Sequence, residues 1–167
     1  MSKAMTQHRD RKRPQHGFSL IELLIVVAVI LIIAAIAIPS FMRSRMRANE
    51  AAAVGNLKNI ATAETIYLTT YGIGYSTTLP KLGGNLVSVD SNNAGLIDTV
   101  LASGNKGGYS FNYTVTASDP LGHAVGFAVS AEPLGVGTTG DNYYYIDQSA
   151  IIRHSTTGPA TASDPAI

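Results

Sequence analysis

The 167-residue chain contains no cysteine and no tryptophan. The absence of cysteine excludes a disulfide framework, thiolate nucleophiles and Cys-ligated metals. Charged residues are sparse, and a formal net charge of +1 hides an asymmetry between the two ends. Residues 1–17 hold Lys3, Arg9, Arg11, Lys12 and Arg13 against the single acid Asp10, a net of +4. The remainder has seven basic and ten acidic side chains, so without its start the chain is mildly acidic. That balance argues against strong nonspecific binding to nucleic acid. A Gly-rich phosphate loop and a zinc-binding HExxH helix are also missing. The four histidines are scattered: His8 and His16 lie in the basic start, while His123 and His154 lack ligand spacing and are expected on exposed loops or strand ends. Asp141, Asn142 and Asp147 lack the spacing of an EF-hand and read as solvated turn residues rather than calcium ligands. No catalytic residue, metal or cofactor is therefore expected.

What the chain does have is hydrophobicity concentrated in one place. Phe18 to Ile38 is an almost unbroken apolar run of 21 residues. As a helix rising about 1.5 Å per residue it reaches about 30 Å, the thickness of a bilayer's hydrocarbon core. Fifteen of these residues are Leu, Ile, Val or Phe, together worth about −4.5 to −9 kcal/mol on an insertion scale. Glu22 opposes insertion with less than the roughly +2.5 to +3.5 kcal/mol of a central acid, since it lies near the end. Insertion wins, and the acid itself is the first functional candidate, because ionisable groups in a membrane usually face a partner or a pathway.

A basic start before such a run has three readings. A secretory signal would be cut after Ala35-Ile36-Ala37, although the run is long for that class and Glu22 interrupts it. A signal anchor would keep its basic end in the cytoplasm, with Arg43, Arg45 and Arg47 on the far side weakening that orientation. The third reading is a cut between Gly17 and Phe18 that keeps the whole helix. Here the residues Gly17-Phe18-Ser19-Leu20-Ile21-Glu22-Leu23-Leu24-Ile25-Val26 resemble the class III signal of type IV pilins and of the pseudopilins of type II secretion. The combination is specific: a basic leader, Gly at the cut, an aromatic after it and Glu four residues on. The resemblance implies that a prepilin peptidase cleaves after Gly17, that the amine of Phe18 is N-methylated, and that Glu22 recognises the Phe18 amine of a neighbouring subunit during assembly. Positions four apart also share a helix face, so a pairing of Glu22 with the amine of its own chain stays open. Pro39 also matches the family pattern. It either kinks a continuing helix or ends one at the membrane surface.

Residues 40–71 are rich in helix formers, and Met46, Ala53, Val54, Leu57, Ile60, Ala61, Tyr67, Leu68 and Tyr71 recur at helical spacing as one apolar stripe, interrupted by Glu50 and Glu64. The expected helix thus runs from about Phe18 to Tyr71, apolar all round in its first half and on one side in its second. Residues 72–107 are rich in breakers and read as a connecting loop with a short helix from about Ala94 to Ala102, burying Leu96, Ile97, Val100 and Leu101. Alternation follows: Tyr109, Phe111, Tyr113 and Val115 share one side of a strand, and Val125, Phe127, Val129 and Ala131 one side of a second. Tyr143 to Asp147 and Ile151 to His154 read as two more, and Tyr143 to Arg153 is similar to the closing hairpin of some bacterial pilins. The tail, 155–167, is small and polar and expected to be poorly ordered.

The expected fold class is α+β: a long N-terminal helix, with a transmembrane half at 18–39 and an amphipathic half at 40–71, packed on a four-stranded antiparallel sheet at 108–154, pilin-like, behind a cleaved leader at 1–17. The resemblance implies a structural subunit of a type IV pilus, inserted in the bacterial inner membrane before assembly and part of an extracellular helical homopolymer after it. Its implied partners are other copies of itself, the prepilin peptidase, the assembly platform and motor ATPases, and inner-membrane lipid. A pseudopilin of a periplasmic type II secretion system is the alternative within the family. Such pseudopilins carry calcium in a C-terminal loop, and the lack of Cys departs from pilins whose C-terminal loop is closed by a disulfide. A solitary membrane-anchored binding domain is the alternative from another class. The aromatics Phe18, Phe41, Tyr67 and Tyr71 are expected to pack against sheet or helix neighbours, and Arg43, Arg45 and Arg47 to anchor in headgroups by snorkelling.

Overall fold

The computed structural model describes residues 17–84 and 88–167. Residues 1–16 of the expected leader and positions 85–87 of the expected loop lie outside these. The chain divides into two units at Pro39, residues 1–39 and 40–167. Helix α1 spans Leu20–Tyr71 and continues through Pro39. Having no N–H, Pro39 leaves the Ala35 carbonyl without its helical donor.

In the first unit none of the most apolar window of α1, with a mean hydropathy of 3.3, is buried within the protein. In the second unit α1 buries Ala53, Asn56, Leu57, Ile60, Ala61, Ala63, Glu64 and Tyr67, a spacing that keeps one face inward. That face meets a five-stranded antiparallel sheet in the order β1-β2-β3-β4-β5. The strands are β1 (Asn105–Lys106), β2 (Tyr109–Ser118), β3 (Ala124–Pro133), β4 (Tyr143–Asp147) and β5 (Arg153–Ser155). Leu57, Ile60 and Tyr67 of α1 share a core with Tyr109, Phe127, Val129 and Ile146 of the sheet.

Four expectations are corrected. The sheet has five strands rather than four, because the two residues of β1 pair with Ser110 and Tyr109 inside the segment read as a loop. The last strand is Arg153–Ser155 rather than Ile151–His154. The short helix shrinks to α3, Thr99–Ala102, capped by Asp98, whose side chain accepts from the Leu101 amide. Gly95 takes a φ of +63°, incompatible with a helix there, and Ala94 and Leu96 bond instead to Lys81 and Leu82 of α2 (Leu79–Leu82); Val100 is consequently exposed. Finally, Val115 and Val125 face solvent. Register shifts on either side of Ala117 re-aim the strands at that end, as bulges do.

The tail expected to be loose makes main-chain bonds to β5 and to the residue before it: His154 donates to the Pro165 carbonyl and Ile167 to the Ile152 carbonyl, each at 3.1 Å. Small polar side chains carry no periodicity that announces such bonds. The start of the connecting loop is fixed by Glu64. This carboxylate is fully buried, accepts from the Ser76 amide at 2.8 Å and from the Ser76 hydroxyl, while the Tyr113 hydroxyl donates to the Ser76 carbonyl at 2.7 Å. Burial holds the Glu64 carboxyl above the usual carboxylate range, against the opposing pull of the Ser76 hydrogen bonds. Gly74 makes the loop's turn possible, with a φ of +89° and no room for a Cβ against the Ala124 backbone.

Candidate functional site

The segment with functional chemistry is the start of α1. Gly17 and Phe18 precede the helix in neither helix nor strand, both exposed, with Phe18 85% accessible. Helix formation begins at once after Ser19, whose carbonyl accepts from the Leu23 amide at 3.2 Å.

Glu22 stands in the first turn, where the helix dipole favours an anion. One of its carboxylate oxygens, Oε2, accepts from the Ser19 amide at 2.9 Å. This is one half of a capping box, in which an acid three residues into the helix satisfies the amide of the cap residue. Ser19 was thus missed as a contributor, although the spacing Ser19-x-x-Glu22 before an apolar run is itself a recognisable local signal. A carboxylate offers about four lone-pair sites, so Glu22, exposed at the helix surface, retains acceptor capacity toward a cation.

Around it the surface is uniformly apolar. Leu20, Ile21, Leu23, Leu24 and the following Ile and Val side chains to Ile38 are all exposed. A patch of this extent on one helix demands cover from lipid or from other chains. By length and composition the segment can cross a membrane, and it presents a carboxylate acceptor in an apolar setting.

The remaining sequence candidates are dispersed. Pro39 sits inside α1. Tyr67 and Tyr71 are neighbours, with ring centroids 4.8 Å apart and planes tilted by 54°; Tyr67 donates to the Ser91 carbonyl at 2.6 Å. Asp141 accepts from the Gly137 amide and Asp147 from the Ser149 amide, so these acids serve separate turns. His123 lies 3.0 Å from Asp119, and His154 is half-buried in β5. Glu50, read as an interruption of the stripe, instead ties the β3–β4 connection to α1: its Oε1 accepts from the amides of Asp141 and Asn142 at 2.9 and 3.2 Å.

Comparison with known proteins bears on the same segment. Residues 12–38 match the prokaryotic N-terminal methylation motif. The chain is 32% identical over 126 residues to the type IV wide pilus major component PilA4 of Thermus thermophilus, covering 65% of this chain and 96% of that protein. It is 35% identical over 112 residues to a fimbrial protein of Pseudomonas aeruginosa, covering 58% and 73%. A 48-residue match at 54% identity to the type IV major pilin protein PilA of Myxococcus xanthus covers 29% of this chain and 22% of that one. No solved structure gives a significant match.

Proposed function

The chain belongs to the type IV pilin family, and from that premise we propose that it is a pilus subunit held in the inner membrane as a precursor, cut after Gly17, methylated on Phe18 and polymerised through its N-terminal helix. The observation that carries this reading is the contrast along α1. The apolar half has no burial within the protein, whereas one face of the amphipathic half is covered by the sheet from Ala53 onward. Lipid covers the first half before assembly, and equivalent helices of other copies cover it afterwards. Contacts between identical subunits that repeat without closing give an open helical fibre.

In this reading Glu22 changes partner. In the uncut chain its carboxylate accepts from the Ser19 amide. Cleavage creates an ammonium on Phe18, and in hydrocarbon a carboxylate and an ammonium cancel a solvation cost that each bears alone. The Phe18 amine of a neighbouring copy is the partner that turns this into assembly. The prepilin peptidase, an assembly platform and motor ATPases complete the machinery. Mass spectrometry of the N-terminus tests the reading directly. A chain beginning at N-methylated Phe18 is expected. One beginning at Met1 would instead identify a retained anchor, and one beginning at Ile38 a secreted domain.

A further inference from the structure

β5 is the last strand of the sheet. On one side it is paired with β4, Arg153, His154 and Ser155 standing opposite Tyr145, Tyr144 and Tyr143. A strand in this position leaves its other row of amides and carbonyls open, a ready template for a strand of another chain. Here that row is occupied. His154 turns its amide away from β4 and donates it to the Pro165 carbonyl, and the Ile152 carbonyl accepts from the Ile167 amide, each at 3.1 Å. Between these two bonds Arg153 and Ala166 form an antiparallel bridge.

The covering segment, residues 161–167, is itself a poor template. Successive residues of a strand point their hydrogen-bonding groups to alternate edges, so the row facing away from β5 would be built from Asp164 and Ala166. Asp164 engages both of its groups locally: its amide donates to the Thr161 carbonyl at 3.2 Å, and its carbonyl accepts from Arg153 Nη1 at 2.8 Å. Its carboxylate fastens the same turn, Oδ2 accepting from the Thr161 amide at 2.7 Å and from the Thr161 hydroxyl at 2.9 Å. Pro165 has no N–H to offer. Ala166 is left as the one outward position of this row, too little to start a ladder. The opposite edge of the sheet is blunted differently: β1 has two residues, and one is Lys106, paired with Asp98 at 2.7 Å. Very short edge strands and edge lysines both discourage pairing.

We infer that residues 161–167 are a guard strand, which keeps the β5 edge from adding a strand of a second copy of this chain. With both edges closed, copies of the sheet unit do not join through main-chain ladders, and association is left to α1. The guard acts within residues 40–167 and does not depend on polymerisation through α1.

The test uses the full chain in detergent, with and without residues 161–167. Without them, sedimentation velocity is expected to show dimers and larger species that grow with protein concentration, beyond any association of the wild type. The His154 amide is expected to exchange with deuterium at least about tenfold faster than in the wild type when dilute, and to slow again as concentration rises. Adding His154→Pro to the shortened chain removes the exposed donor, a substitution that edge strands tolerate, and is expected to restore wild-type sedimentation. A shortened chain that sediments like the wild type would overturn the guard. So would association that survives His154→Pro, because it would then arise from apolar surface or unfolding rather than from the strand edge. Should the shortened chain lose the circular dichroism of its sheet, Ile167→Pro in the complete chain removes a single guard bond and is read in the same way. Faster His154 exchange with concentration-dependent association is expected, and wild-type values of both would overturn the inference.

Discussion

The two halves of α1 share a backbone conformation but differ in what stabilises them. From Ala53 onward, burial against the chain's own sheet supplies the stabilisation, with Leu57 and Ile60 completely inaccessible. Before Pro39 the side chains are larger and more uniformly apolar, yet Leu24 and Ile25 remain more than half exposed. Hydrophobicity alone therefore does not place a residue in a core. Periodicity does, because only a one-sided stripe can be matched by a partner face within a small domain. The all-round pattern needs a surrounding medium, first lipid and then copies of itself.

This contrast can be broken most severely at its one charged point. If Glu22 pairs with the Phe18 amine of a neighbouring copy as proposed, Glu22→Ala removes one partner of a buried ion pair, a change that typically costs about 3–5 kcal/mol. Fibres should vanish while the protein still fractionates with membranes; normal fibres in this variant would refute the proposed role. Next in size is a paired test of the two halves by unfolding in detergent. Leu57→Ala should destabilise the residues 40–167 unit by about 2–5 kcal/mol through a core cavity. Leu24→Ala should leave its melting unchanged, and equal effects would mean the halves are not distinct.

A smaller effect concerns Glu64. Its folded value is raised by burial, so its contribution to stability is complete below about pH 4.3, its unfolded value, and is lost as pH rises through the raised folded value. Glu64→Gln should flatten that decline and equal or exceed the wild type in melting temperature at pH 8. Glu64→Ala should cost about 1–3 kcal/mol, because the Ser76 amide is left without an acceptor. A wild-type profile that rises with pH across this range would reverse the assigned sign. Smallest is the cap of α3. Asp98→Ala should lose about 1 kcal/mol, and Asp98→Asn less, since it gives up only the exposed pair with Lys106 at 2.7 Å. Urea melts of the two variants would separate cap from charge.

Legibility in the sequence followed the same division. Long signals were readable: the apolar run, the stripe through Leu57, Ile60 and Tyr67, and the alternation in β2 to β4. The combination of Gly17, Phe18 and Glu22 was equally clear as a motif. Short or irregular features were not. Two residues of β1 are too few to show a period, and the register shifts around Ala117 leave no compositional trace. Glu64 and Glu50 looked like flaws in the stripe because their partners are main-chain groups: Ser76 lies in an irregular loop, and Asp141 and Asn142 lie some ninety positions away. A polar residue on a buried face announces a partner, but sequence alone does not identify it.

The fastening of the β3–β4 connection has a consequence for how this protein can diversify. Glu50 holds it through the amides of Asp141 and Asn142, and Asn49 through the carbonyl of Thr139 at 2.9 Å. Every residue type except proline supplies those amides, and every residue type supplies that carbonyl. Side chains at the solvent-facing Leu134, Val136 and Thr138 can thus be exchanged without disturbing the hydrogen bonds that hold the connection in place.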